Sequence, residues 1–459
     1  MVEIKEKSKN IYQIEKQDKM NVPAQVIVSK NMLEDVKKDK TLEQIKNVAT
    51  LKGTVEKVLA LSDCHQGYGS CIGGVAAFDI DKGVISPGLI GYDINCSVRL
   101  LKTNLTKKQI LSKQKILSKE LYKKIPSGVG RGSPFTISYK ELDKLLEQGA
   151  RYIVEKGLGV KEDYLNMEEK GEMKQADASK VSDRAKKRGI GQLGTLGAGN
   201  HFLEIQYVDE IFDKKAAKMF GLEKNQVMIM IHCGSRGLGH QVASDYIKLM
   251  EEKYGIKDLV DRELVNAPIK SQLGQDYYKA MCCAANFAFA NKQIITHWTR
   301  EQMKEIFPES KIDIVYDVCH NIAKFEKHKI NNKIQEVLVC RKGATRAFDK
   351  QPVIIPGSMG TSSYLLLGTK KAEELTFGSS VHGAGRTTSR SSALKNLKGE
   401  SIKQQLNKQG IKIEAGSMQS IAEEAPQVYK DIDEVIEVIH DLGISTKVAR
   451  MNPLIVIKG

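Results

Sequence analysis

Apolar positions along the chain fall into short segments of two kinds. Residues 31–49 read as a helix, and residues 107–124 place Ile110, Leu111, Ile116, Leu117 and Leu121 near helical spacing, which predicts one packed and one solvated face. Residues 271–306 form a long, largely apolar helical stretch in which Cys282, Cys283, His297 and Trp298 read as packing residues. Strands are predicted at 55–61, 98–101, 202–207 and 312–318, and in the apolar run VMIMIH that ends at His232. EVLVCRKGATRAF and PVIIPGSMGTSSYLLLGT add two more passages from strand to loop. PSGVGRGSP at 126–134 reads as a loop, and residues 160–188, rich in Lys, Glu and Asp, read as a surface excursion. Many short strands with interspersed helices and no regular βαβ alternation predict an α+β class rather than a doubly wound sheet.

Composition narrows the picture. The 459 residues are 41% hydrophobic and 28% charged, as in soluble globular proteins, and length alone allows several domains or one elaborate one. Among them Lys plus Arg number 71 against 56 Asp plus Glu, a net +15 that favours a polyanionic partner such as nucleic acid. Part of that excess lies in 107–124, where a solvated basic face accounts for it. Trp298 is the single tryptophan, so no interleaved stacking platform for bases is built in. The eight cysteines include no CxxC pair, against both a disulfide scaffold and a zinc knuckle. No apolar run approaches a membrane span and the N-terminus lacks an apolar signal core, so a cytoplasmic location and no membrane partner are expected.

Candidate chemistry sits where strands end. GSSVHGAGRTTSRSS at 378–392 surrounds His382 with small residues and follows it with Arg386 and Arg390, an arrangement suited to holding a phosphate against an imidazole. Asp63 and His65 lie where a strand breaks into a glycine-rich loop. Asp93 and Cys96, three apart around a tight turn, can reach one metal ion. His201, His232 and His320 each stand at another strand end; Arg236 follows in a glycine-rich turn, and His240 reads as structural. Singly, each of these residues fits a packing role. Together they supply a carboxylate, a thiolate and three imidazoles, a first shell for two close divalent ions among which zinc, manganese, iron and cobalt stay open. The glycine-rich run before Asn200 is followed by a strand, not a helix, which excludes a dinucleotide-binding loop.

DCHQGYG, GYDINC, GTLGAGNHF, HCGSRGLGHQV, HNIAK, RKGATRAF, PGSMGTSSY, HGAGR, EAPQVYKDID and the terminal KG occur in order. In this the chain resembles RtcB-type tRNA-splicing RNA ligases over about residues 22–459, most closely their archaeal and eukaryotic branch. The resemblance implies a single compact domain, residues 1–459, with mixed β-sheets flanked by helices. It implies a GTP- and Mn²⁺-dependent ligase joining RNA 3′-phosphate or 2′,3′-cyclic phosphate ends to 5′-hydroxyl ends, in tRNA splicing or RNA repair. His382 matches the histidine that becomes guanylylated; Asp93, Cys96, His201, His232 and His320 match the ligands of two manganese ions, with Cys96 bridging. Nucleotide contacts are matched by Asn200, His201, Phe202, Leu203, Glu204, His320, Asn321, Pro356, Gly357, Ser358, Met359, Ser363, Gly383, Ala384, Gly385, Tyr429 and Lys458. Arg236 and Arg386 match phosphate or RNA contacts, and Asp63 lies in a motif near the reacting ends. Partners so implied are RNA, GTP and an archease-type activator. Ser62, Ser70 with Cys71, Ser97 and Ala198 depart from the family pattern, and none of them is a matched ligand or the nucleophile. Two other classes use the same residues: a metal-dependent phosphodiesterase or phosphatase without a covalent histidine, and an RNA-binding protein without catalysis.

Overall fold

The computed structural model describes residues 2–128 and 132–459. One sheet runs in the order Lys5–Ser8, Ile11–Ile14, Ala24–Ile27, Thr54–His65, Ile72–Asp79, Lys333–Lys342 and Asn321–Ile330. A second runs Ile312–Cys319, Ser97–Thr106, Gln226–Cys233, Phe202–Ile211, Ser445–Lys458, Ser363–Gly368 and Pro352–Ile355, with Lys412–Ala415 added beside Ser445–Lys458. Neighbours are antiparallel except Ala24–Ile27 with Thr54–His65 and Lys412–Ala415 with Ser445–Lys458. Helices cover these mixed sheets, so the chain has the expected α+β architecture.

The strand Gln226–Cys233 shows why its sequence is almost continuously apolar. Val227, Ile229 and Ile231 point into the main core and Met228 and Met230 into a second cluster, because side chains alternate faces and both faces are covered. Register then aligns one end of the second sheet. Cys319 pairs with Ser97, Ser97 with Cys233, His232 with Phe202, and Phe202 with Lys458. His320, Cys96, His232, His201 and Lys458 therefore form a row across five adjacent strands. His320 is also the one residue between Ile312–Cys319 of this sheet and Asn321–Ile330 of the other, so the row sits where the two sheets meet.

Behind the row lies a buried charge network. Arg99 donates through Nε to Asp317 Oδ2 at 2.8 Å and through Nη1 to Gln293 and Thr296, while Lys292 Nζ stands 3.3 Å from Asp317 Oδ1. All three charged side chains are fully buried. Asp317→Ala leaves two buried cations without their carboxylate and is expected to cost about 3–5 kcal/mol in chemical denaturation, with Asp317→Asn intermediate.

Several expected boundaries shift. Residues 31–49 form two helices, Lys30–Val36 and Thr41–Val48, and between them Asp39 Oδ1 accepts the Thr41 amide at 2.8 Å, a local side-chain bond that competes with a continuous helix. The strand expected at 55–61 continues to His65, those at 98–101 and 202–207 extend to Thr106 and Ile211, and Arg236 opens the helix Arg236–Tyr254 instead of lying in the turn before it. Residues 160–188 are no loose excursion. Glu168 is buried, pairs with Lys324 and accepts the Cys319 amide at 3.0 Å, so charge there pins the segment behind His320. The helices Lys107–Lys124 and Gln272–Ile306 match expectation. Of the loop expected at 126–134, residues 129–131 lie outside the described residues.

Candidate active site

His382 follows the short strand Ser379–Val381, whose partner Ala344–Arg346 is fixed to the ligand row by a hydrogen bond from the Ala344 amide to the His320 carbonyl at 3.1 Å. Asp63, fully buried, accepts both from the His382 main-chain N–H at 2.9 Å and from ring Nδ1 at 2.5 Å. A carboxylate oxygen only accepts, so Nδ1 carries the hydrogen, and in the neutral ring the Nε2 lone pair is then the one left free. Gly385 has φ +75°, and a Cβ there would stand 2.1 Å from the Asp63 carbonyl oxygen, so only glycine lets the 378–392 loop lie against Asp63. The His382 and His320 rings lie 5.0 Å apart, which puts the free imidazole beside the ligand row.

Two groups of donor atoms converge there, Cys96 with His232 and His320, and Asp93 with Cys96 and His201, each with its ligand atoms within 4.8 Å of one another. Cys96 belongs to both. Its Sγ lies 3.2 Å from His232 Nε2 and 3.5 Å from His201 Nε2, and His232 Nε2 lies 3.3 Å from His320 Nε2. Nitrogen lone pairs and a sulfur facing one another at such distances repel unless a proton or a cation stands between them. Burial and the neighbouring imidazoles hold His232 and His320 well below the usual imidazole value, so both stay neutral and able to bind metal. Among the described residues His320 Nδ1 is buried without a partner. Burial opposes a charge on His201, yet Cys233 and then Asp93, whose Oδ2 lies 2.8 Å away, raise it well above the usual value. His201 Nδ1 meets the Leu196 carbonyl at 2.9 Å, so the extra proton sits on Nε2, where a cation would replace it. Burial and then Asp93 push the Cys96 thiol up to about 12, so metal binding must also displace its proton. The donor set therefore fits a pair of divalent ions. Loading the protein with metal at neutral pH is expected to release roughly two protons, and affinity to fall as pH is lowered, measured by titration calorimetry in buffers of differing ionisation enthalpy.

A cavity of about 620 Å³ opens onto this row. Cys96, Asn200, Phe202, His232, His320 and Asn321 line it, together with Pro356, Gly357, Ser358 and Met359 from one loop and His382, Gly383, Ala384, Gly385 and Arg386 from another, as do Tyr429 and Lys458. Other expected residues reach the site through these. Ser363 Oγ accepts the Gly357 amide at 3.0 Å and also a hydrogen bond from Gln206, whose amide nitrogen donates to Glu204 Oε2 at 2.6 Å. Glu204 Oε1 is buried with no partner among the described residues, and burial pushes this carboxyl up to about 7. Lys458 is buried within its strand, and its pKa is drawn down to about 8 by that burial. Arg236, at φ +54°, donates through Nε to Thr195 Oγ1 at 3.3 Å and adds to the charge that holds Asp93 low against the effect of burial. Leu203 projects into the core on the opposite strand face from Phe202 and Glu204, so only its main chain is available.

Glu424 was unforeseen as a site residue. It is buried, accepts from Arg386 Nη1 at 3.2 Å and from Arg390 Nε at 3.0 Å, and is bonded to the Tyr429 hydroxyl. It thus orients both arginines at the cavity wall. Its place at the head of EAPQVYKDID is the one sequence signal that marks it.

The family described as tRNA-splicing ligase RtcB matches residues 44–459. The chain is 53% identical over 462 residues to the "tRNA-splicing ligase RtcB" of Methanococcus maripaludis, covering 96% of each chain. It is 49% identical to the protein of that name from Thermococcus kodakarensis, over 100% of this chain and 99% of the relative. It is 47% identical to "RNA-splicing ligase RtcB homolog 1" of Entamoeba dispar, over 91% of this chain and 82% of that one. With that match spanning most of the chain, including His382 and the whole ligand row, the chain belongs to the RtcB family of tRNA-splicing ligases.

Proposed function

We propose that this protein is a GTP- and Mn²⁺-dependent RNA ligase that joins a 3′-phosphate or 2′,3′-cyclic phosphate end to a 5′-hydroxyl end through a guanylate carried on His382. The observation that carries the reading is an imidazole whose Nδ1 is held by Asp63 and whose Nε2 is free beside a buried thiol and imidazole cluster. Manganese, held by Cys96 with His232 and His320 and by Cys96 with Asp93 and His201, would supply positive charge against the phosphates.

His382 Nε2 attacks the α-phosphorus of GTP; a P–N bond forms and pyrophosphate leaves with the electrons of the broken P–O bond. Asp63 stabilises the charge that develops on the ring and fixes its direction, as an orienting carboxylate does for a catalytic histidine. Glu204 Oε1 accepts from the N1 and N2 hydrogens of guanine, which gives its unpartnered oxygen a role. The Pro356–Met359 loop, Asn200, Phe202, Asn321, Tyr429 and Lys458 enclose the rest of the nucleotide. Arg386, turned by Glu424, and Arg236 neutralise RNA phosphates. A cyclic end is first opened by water, its P–O2′ bond breaking to leave a 3′-phosphate; GMP then passes from His382 to that 3′-phosphate, and the 5′-hydroxyl, losing its proton, displaces GMP to form the new phosphodiester. Drawing the site from Asp39 to Lys458 supports one functional unit over 1–459, and archease-type activation and tRNA exon halves as substrate belong to the same reading.

Purified protein with GTP, Mn²⁺ and RNA strands of defined ends is expected to seal a 3′-phosphate to a 5′-hydroxyl, with sealing lost to chelator and restored by Mn²⁺. Metal-dependent release of phosphate or opening of the cyclic end, with no sealing and no nucleotide on the protein, would establish the phosphodiesterase class instead.

A further inference from the structure

One further imidazole faces the same cavity with no task in this reaction. His65 closes the strand Thr54–His65 and lines the cavity beside Asp39, Gln66 and Gly67. Its Nδ1 lies 3.1 Å from the main-chain carbonyl of Asp63. A carbonyl only accepts, so Nδ1 carries the hydrogen and Nε2 presents a lone pair. Asp63 thus fixes two imidazoles in the same tautomer, His382 through its carboxylate and His65 through its backbone. Among the described residues no hydrogen bond reaches His65 Nε2. Burial, above all, pulls the ring down to about 4, so it stays an acceptor at neutral pH.

The surroundings sharpen what that acceptor can take. Asp39 Oδ2 accepts the Gln66 amide at 2.8 Å, which keeps a carboxylate at this part of the wall. The Lys430 ammonium, whose charge reaches His65, donates to the carbonyls of Ser62 at 3.2 Å and Cys64 at 2.5 Å. Arg386 and Arg390 gather instead on Glu424. A phosphate brought to His65 would meet a lone pair and a carboxylate, whereas a hydroxyl would donate.

We propose that His65 is a specificity-determining residue whose Nε2 accepts a hydrogen bond from the 5′-hydroxyl of the RNA, so that a 5′-hydroxyl end is admitted and a 5′-phosphate end refused. This rests on the ligase reading above. The test uses manganese-loaded full-length protein and two short RNA strands of one sequence, bearing a 5′-hydroxyl or a 5′-phosphate, compared by competition in fluorescence anisotropy. Wild type is expected to prefer the hydroxyl strand by about tenfold or more, and His65→Ala to bring the two within about twofold by weakening the hydroxyl strand. His65→Asn, which keeps an acceptor oxygen, is expected to recover part of the preference, with thermal melts confirming that both variants fold. In sealing of a 3′-guanylylated strand, His65→Ala is expected to raise KM for the 5′-hydroxyl strand about tenfold, and to lower sealing far more than transfer of GMP from GTP. The proposal is overturned if the preference survives in His65→Ala, or if guanylylation falls as far as sealing, which would make His65 a brace for Asp63. It is also overturned if the loss vanishes when the terminal 2′-hydroxyl of the other strand is replaced by hydrogen, because that hydroxyl would then be the partner. Failure of wild type to seal any ends would count against the ligase reading alone, since the binding preference is read without turnover.

Discussion

His382→Ala is expected to carry no guanylate after incubation with α-labelled GTP and manganese, while wild type retains a label that is stable to base and lost in acid. Such a label would be a P–N bond, which needs a nitrogen with a free lone pair at this cavity. His382 Nε2 meets that condition because Asp63 occupies Nδ1. Sealing of a 3′-phosphate strand falls with the label, whereas sealing of a strand already guanylylated at its 3′ end survives in part, because that step no longer needs the nucleophile. Asp63→Ala separates position from chemistry. The ring remains, but its tautomer and direction are released, and label formation is expected to slow by about 10²–10⁴-fold. An undiminished label on His382→Ala would remove His382 as nucleophile, and an Asp63→Ala enzyme of normal rate would remove Asp63 as its orienting partner.

That pairing also marks where sequence reading ends. His382 is legible because small residues and two arginines crowd around it, and the ligands are legible because each stands at the end of an apolar strand. The Asp63 carboxylate lies 319 residues from the ring it holds, and nothing local announces the contact. The same holds for Arg99, Lys292 and Asp317, which read as ordinary charges in a strand, a helix and another strand until register brings them together without water. Composition misleads at 160–188 for a related reason: Glu168 counts as a surface residue in any tally of charge, yet Lys324 pairs with it inside the core. At the helix break Lys37–Lys40 one carboxylate, Asp39, holds the Thr41 amide through one oxygen and the loop after His65 through the other. The class of fold follows from periodicity, and His382 and the ligand row from residue type at strand ends, whereas the nucleotide contacts follow only from the family resemblance and Glu424 from neither. Which residue orients which is set by long-range register.

Cys96→Ala has the other large expected effect, because Cys96 is the one ligand common to both donor groups. Asp93→Ala should leave Cys96, His232 and His320 intact and His232→Ala should leave Asp93, Cys96 and His201, so each is expected to keep about one manganese per chain after gel filtration. Cys96→Ala takes a ligand from each group at once and is expected to retain little metal, against about two ions in wild type by elemental analysis. Charge compounds the loss. With its thiol pushed up to about 12 by burial and by Asp93, Cys96 would become a thiolate only on binding cations, and that thiolate would offset part of their charge inside a buried cluster. Without it, two dications would face Asp93 and neutral imidazoles, and sealing should fall by at least about 10³-fold. Cys96→Ser, which keeps an oxygen but a far less acidic one, should lie between, closer to alanine at neutral pH. A Cys96→Ala protein that still bound two ions would show that the two groups hold metal independently, and the shared sulfur would then be packing rather than a bridge.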